Sequence, residues 1–334
     1  MEEELVPKAG FQLATIETNG MTRGLAWSAI KHNVRAVGNI LRSVERCKEI
    51  IREFHADVVV GTGGYASFPA LMAASKLGVP TCVHESNAVP GLTTKLVAKR
   101  VNRVLTCFEE SARYYKNSKK VETVGMPVRS EFIYTKKEDA RKALGLDHRP
   151  LVVSAFGSQG ARAMNEAMGQ LFRLEQDAGF PFRHIHAIGS YGMSWMPDYM
   201  KGLGVDPEKA EGIELREYIY NMPTVMAAAD VFISRAGAST CNEIAASGTP
   251  CILIPSPNVT NNHQEKNARV LSDNGAAVLV LEKDCTAKVL MDEIAKLLSD
   301  KERCSAMTKA LQKMSVPDSA ERVCDIMEEL TAGK

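Results

Sequence analysis

Three short glycine-rich stretches hold the residues best placed to do chemistry. They read "GTGGYASFP" (61–69), "FGSQGARAMN" (156–165) and "SRAGASTCNEIAASG" (234–248). Each follows an apolar, β-branched run and leads into good helix formers with apolar residues at helical spacing. A glycine turn from strand to helix brings backbone N–H groups to a ligand at the positive end of the helix dipole, so the expected ligand is an anion, most often phosphate. One such turn reads equally well as tight packing, but three in the same context point to a nucleotide or sugar-phosphate. In the third, Arg235 follows the strand-like run, and Gly237, Ala238, Ser239 and Thr240 would offer N–H groups and hydroxyls to a diphosphate. Glu243, one turn further on, suits a bidentate hold on two ribose hydroxyls. It equally suits a helix N-terminus that favours an acid. The polar loop "PSPNVTNNHQEKNA" (255–268) leads to Gln264 and Asn267. Amides there match sugar hydroxyls, which need donors and acceptors. Asn261 or Asn262 equally suits a helix cap.

In the first half, "VHESNAVPG" (83–91) ends a strand-like run on His84, Glu85, Ser86 and Asn87. Polar residues clustered there suggest a site, although His84 alone reads as a hydrogen-bonded structural histidine. His184 and His186 alternate along a strand, so they share a face, but no further ligands accompany them and they read as structural rather than metal-binding. There is no D-x-D motif to hold a metal-bound sugar nucleotide. The turns lack the Lys-Ser/Thr and spacing of a P-loop, and none matches G-x-G-x-x-G with an acid about 20 positions on. ATP hydrolysis and NAD binding are therefore poor readings.

The elements that must position these residues alternate. Strand-like runs at 56–61, 81–85, 103–108, 120–125, 151–156, 182–189, 213–219, 230–235, 250–255 and 276–281 are separated mostly by helical segments. That alternation predicts an α/β fold of parallel sheets with helices on both faces. Ligands in such doubly wound sheets sit at the C-terminal strand ends, where the glycine turns lie. The segment 125–150 is more polar and reads as a linker with a short helix. The expected domains are 1–127 and 128–317, two Rossmann-like halves facing a cleft. The chain has 334 residues, 45% apolar and 24% charged, with a net charge of +1. That balance excludes a general nucleic-acid binder. No run is long enough to span a bilayer, and "MEEELVPKAG" has no signal-peptide core. The eight cysteines include no C-x-x-C pair and read as reduced core thiols of a cytoplasmic protein.

The blocks "GTGGYASFPA", "HESNAVPGLTTK", "VGMPVR", "FGSQGARAMN" and "RAGASTCNEIAASGTPCILIPSPNVTNNHQEKNA" together resemble the MurG family of N-acetylglucosaminyltransferases, over nearly the whole chain. The resemblance implies a GT-B fold with no metal or other cofactor. It implies UDP-GlcNAc as donor and undecaprenyl-linked muramoyl-pentapeptide as acceptor, at the cytoplasmic face of the inner membrane. It implies donor contacts from Arg129, Ser158, Gln159, Ile219 (through its backbone, to the uracil), Gly237, Ala238, Ser239, Thr240, Cys241, Asn242, Glu243 and Gln264. Gly63, Gly64 and Tyr65 would lie on the acceptor side with Asn87. The last helix, 318–330, would return to the N-terminal domain. Family chains also begin with a strand and a G-G-T-G-G-H turn that this sequence does not contain, so the N-terminal sheet is expected to be incomplete. The histidine of that turn is the usual candidate base, which leaves the base unassigned here with His84 and Glu85 as weak substitutes.

The stretch 23–54 mixes apolar residues with Lys31, Arg35, Arg42, Arg46, Lys48 and Arg52. It reads as a basic amphipathic segment for an anionic surface, or as a pair of helices packed on the sheet. Two further functions fit a sequence of this kind: a UDP-sugar-binding protein without turnover, and a UDP-sugar epimerase, against which the "NVTNNHQEKNA" block argues.

Overall fold

The computed structural model describes residues 2–16 and 27–332, with side chains from 3 to 16 and from 39 to 332. The chain forms two units, Met1–Val124 with Glu321–Lys334, and Gly125–Ala320.

In the first unit, β1 (Val59–Gly61), β2 (Thr81–Glu85), β3 (Arg103–Thr106) and β4 (Val121–Thr123) form a parallel sheet in sequence order. All of β2 is buried, as a central parallel strand covered on both faces should be. On one side the helix Gly64–Leu77 sets Ala73 and Ala74 against Val44, Cys47 and Ile51 of the helix Trp27–Glu53. The small alanines let the two helices approach closely. On the other, Ile326 of the closing helix Ser319–Ala332 packs on Cys82, Leu105 and Val124.

The basic stretch 23–54 forms one helix, Trp27–Glu53, and not a pair. Residues 23–26 lie outside the described residues, as do the side chains of Lys31 and Arg35. Two of its described cations are committed within the helix, Arg46 to Glu49 at 2.9 Å and Lys48 to Glu45 at 2.8 Å.

The second unit starts with two short helices, Glu131–Tyr134 and Lys137–Ala143, where the polar linker was expected. Six strands follow: β5 (Leu151–Ala155), β6 (Arg183–Ala187), β7 (Ile213–Arg216), β8 (Val231–Ser234), β9 (Cys251–Leu253) and β10 (Val278–Leu279). Every pairing is parallel and the spatial order is β10-β9-β8-β5-β6-β7. The order reverses between β5 and β8, so the loops leaving these two strands diverge to opposite faces and leave a crevice at their C-terminal ends.

The cysteines are all free. Five are buried, but Cys285 and Cys304 are only partly covered and Cys324 is exposed, so the expectation of uniformly core thiols needs correcting.

Candidate functional site

The crevice between β5 and β8 receives two helix N-termini. The helix Arg162–Asp177 follows β5 with Ala161 at its N-cap, and the helix Ala238–Ser247 follows β8 with Gly237 at its N-cap. Neither has a side-chain cap. The N–H groups of Arg162, Ala163 and Met164, and of Ala238, Ser239 and Thr240, have no partner among the described residues. Two sets of orphan donors at the positive ends of two dipoles form a ready seat for an anion.

The turn after β5 is fixed by contact with the loop after β6. A Cβ on Gly160 would lie 2.3 Å from the carbonyl oxygen of Ile188, and one on Gly189 would lie 2.1 Å from the Gly160 nitrogen. Only two glycines allow backbones this close. The contact is sealed by Ser190 N–H donating to Ser158 O at 3.3 Å and by Asn165 Nδ2 donating to Ile188 O at 2.7 Å. Ser158 and Gln159 are exposed at the tip. The loop after β6 thus adds Ser190 and Tyr191 to the rim, residues that the sequence reading missed. The signal was the fourth glycine turn, "GSYG" (189–192), which also follows a strand.

The turn after β8 is fixed differently. Arg235 turns away from the crevice mouth: its guanidinium meets Glu282 at 2.5 Å and donates to Ile254 O at 3.1 Å. It is a brace between strand ends. Asn267, fully buried, donates to Ala236 O at 3.2 Å and ties the helix His263–Asp273 to the same turn. Within the run 237–242, Cys241 buries its thiol and its N–H donates to Gly237 O at 2.9 Å. Cys241 therefore offers a ligand nothing, against the expectation. Asn242 spends its amide on Ala238 O at 2.8 Å. The groups facing outward are those of Gly237 to Thr240.

Glu243 is partly buried. Burial raises its carboxyl above the ordinary carboxylate range, and the nearby Arg129 guanidinium pulls it back down. Arg129 is itself exposed and lies 5.2 Å over the Phe132 ring. Gln264 uses Oε1 to accept from Ser256 N–H at 2.8 Å, a bond that aims its amide nitrogen. Asn262 occupies the N-cap position of its helix, but its amide donates to Glu265 at 2.5 Å, so the capping alternative fails in its simple form. Ile219 is buried between the exposed Tyr218 and Tyr220, so only its backbone can face a ligand.

A cavity of about 710 Å³ lies at the opposite end of this sheet. Three of its cations serve the protein itself, Lys137 and Arg141 pairing with Asp230 and Arg149 with Asp147. The helix Ala238–Ser247 ends there and presents carbonyl groups that repel an anion. The two uncapped helix N-termini lie at the crevice, at the other end of the strands.

The model for the glycosyltransferase family 28 C-terminal domain matches residues 151–323, and that for the N-terminal domain of the same family matches residues 1–106. A UDP-N-acetylglucosamine--N-acetylmuramyl-(pentapeptide) pyrophosphoryl-undecaprenol N-acetylglucosamine transferase from Acetivibrio thermocellus is 38% identical over 100% of this chain and 88% of its own length. The protein of the same name from Thermoanaerobacter sp. is 40% identical over 99% of this chain and 89% of its own. The chain belongs to glycosyltransferase family 28, in its MurG group. The crystal structure of MurG from Acinetobacter baumannii superposes with a TM-score of 0.77 at 25% identity, covering 98% of this chain and 88% of that one.

In the first unit of this glycosyltransferase, Gly63 and Gly64 open the helix Gly64–Leu77, and Tyr65 is exposed beside them. The end of β2 is built around Glu85. Its carboxylate accepts from Asn87 N–H at 3.1 Å, Asn87 Nδ2 at 3.3 Å and Gly91 N–H at 3.0 Å. Ser111 Oγ donates to Asn87 O at 2.8 Å from outside the loop. Glu85 is 4% exposed and bound to three donors, so it is a loop clamp rather than a substitute base. His84 is also buried, within the strand. His184 and His186 are wholly buried and bonded to Ser154, in keeping with a structural role. Among the described residues no group of three or more His, Cys, Asp or Glu side chains is placed to hold a metal ion.

Proposed function

We propose that this chain transfers N-acetylglucosamine from UDP-GlcNAc to the 4-hydroxyl of undecaprenyl-diphospho-N-acetylmuramoyl-pentapeptide, with inversion. The observation that carries the reading is the pair of uncapped helix N-termini at the strand-order reversal of the second unit. Relatives named for this transfer match nearly the whole chain.

On the donor side, the geometry supports the contacts that the resemblance implies. The diphosphate sits on the N–H groups of Ala238 to Thr240, with the hydroxyls of Ser239 and Thr240 and the exposed tip of Ser158 and Gln159 around it. Glu243 accepts from two ribose hydroxyls. The Ile219 backbone meets the uracil, and the Gln264 amide, aimed by Ser256, donates to a GlcNAc hydroxyl. As the acceptor hydroxyl attacks the anomeric carbon, the C1–O bond to UDP breaks and negative charge grows on the diphosphate. Fixed N–H groups and helix dipoles stabilise that charge. The acceptor's proton goes to a base that the described residues do not identify. Asn87, Gly63, Gly64 and Tyr65 would serve the acceptor.

A lipid-linked acceptor calls for work at the cytoplasmic membrane face. No helix of the described residues is long and apolar enough to cross a membrane, and we read the contact as peripheral from an exposed surface. The helix Leu92–Val97 supports this: Leu92, Lys95 and Leu96, with Lys99 just beyond, are all exposed at helical spacing.

The test is transfer of radiolabelled GlcNAc from UDP-GlcNAc to a lipid I analogue. The expected result is labelled lipid II, abolished by Glu243→Ala. UDP binding without transfer would favour a binding protein, and release of a free epimerised sugar nucleotide would favour an epimerase.

A further inference from the structure

A continuous polar chain runs through the core of the second unit. Glu175 Oε1 lies 2.7 Å from His184 Nδ1, His184 Nε2 lies 2.8 Å from Ser154 Oγ, and Ser154 Oγ lies 2.7 Å from His186 Nδ1. All four residues are 0% exposed. Phe172 walls the chain, edge-on to both rings at 5.0 and 5.6 Å. Two atoms, Glu175 Oε2 and His186 Nε2, are buried with no partner. Leaving a buried polar atom unpaired is costly. Apolar side chains of similar volume would fill this space with no such cost. Stability alone does not account for the chain.

Its placement does. Ser154 stands on β5, three residues before Gly157. The histidines stand on β6, with His186 directly opposite Ser154 and two residues before Ile188. Glu175 lies near the far end of the helix whose first residue, Arg162, follows the turn. The chain therefore joins the three elements that meet at the turn Gly157–Gly160. Apolar packing tolerates small sliding of these elements against one another, whereas a directional chain of hydrogen bonds fixes their offset. The backbone contact of Gly160 with Ile188 leaves no slack at the tip.

We infer that the chain Glu175–His184–Ser154–His186 is a positioning network for the turn Gly157–Gly160, setting where the N-terminus of the helix Arg162–Asp177 meets the diphosphate of the donor. The inference rests on the donor reading given above. None of the four residues touches the donor, so they are positioning residues only.

Ser154→Ala cuts both inner links, Glu175→Gln weakens the outer one, and Ser154→Thr keeps the hydroxyl. Ile294→Val, at a fully buried position in the helix Ala287–Ser299, is the control for simple core damage. Two readouts are taken on the full chain: hydrogen exchange at residues 157–164 without ligand, and the dissociation constant of UDP. Ser154→Ala and Glu175→Gln are expected to speed exchange at the turn and to weaken UDP binding about tenfold, the size of effect expected from displacing binding groups by a fraction of an ångström. Ile294→Val should change neither, and Ser154→Thr should restore both. Unchanged exchange and binding in a Ser154→Ala chain that melts early would overturn the inference, as would equal effects from Ile294→Val. If the parent chain shows no UDP binding, the donor reading falls, and the exchange data alone then show whether the network holds the turn.

Discussion

Glu243 and Glu85 show how one residue type takes two roles according to its neighbours. Glu243 has a single cation nearby and no committed hydrogen bond, whereas Glu85 is saturated by three N–H donors. Glu243→Gln should weaken UDP binding about ten- to a hundredfold, the range for losing hydrogen bonds to a charged group, measured by calorimetry. Because burial holds its carboxyl above the ordinary range, the charged form is lost early on acidification. UDP affinity should therefore begin to fall at a higher pH than an ordinary carboxylate would give, and Glu243→Gln should remove that step. Glu85→Ala should instead destabilise its unit by about 1–3 kcal/mol through unpaired buried donors, read as a lower denaturation midpoint. The turn at Gly237 after β8 was legible from residue type, and Glu243 and Gln264 lie in the helices that follow β8 and β9. The partners of Glu85, Arg235 and Cys241 were not, because burial and hydrogen bonding depend on segments far away in the sequence. Arg235 pairs with Glu282 and the Ile254 carbonyl, both far along the chain.

At the scale of elements, the two glycines of the turn after β5 differ in how much they tolerate. Gly160 meets the Ile188 carbonyl with no room for a Cβ and has φ +78°, whereas Gly157 has φ +95° with nothing within reach. Gly157→Ala should cost about 1–2 kcal/mol, the penalty of a left-handed backbone alone. Gly160→Ala should cost more and abolish UDP binding, because the loop after β6 must move away. Thermal melts and UDP titration of the two variants check this ranking. The strands themselves were legible: all ten expected runs are strands in the structure. Continuous apolar character, typical of parallel strands covered on both faces, made central strands such as β8 and β9 plain. Helix limits were less so. The helix after β1 starts at Gly64, directly in the glycine turn, and carries Pro69 inside it.

For the molecule as a whole, acid should unfold the chain through His186. Burial and the neighbouring His184 hold its ring at a pKa of about 3, against 6.5 in an open chain. Between these values the unfolded chain binds a proton that the folded one refuses. The contribution is complete above pH 6.5 and shrinks as pH falls toward 3, by up to about 1.4 kcal/mol per pH unit. Urea titrations at pH 7.5, 6 and 5 should show this decline, and His186→Gln should flatten it.

The first unit is closed by Ile326, 202 residues after Val124 leaves it. On a ribosome adding about 5–20 residues per second, the nascent sheet would wait on the order of 10–40 s with the apolar face of Cys82, Leu105 and Val124 uncovered. The second unit, continuous in sequence, can complete itself in that interval. Birth order and folding order therefore differ: the half made first is finished last, and it is the half that most needs a chaperone's shelter during synthesis.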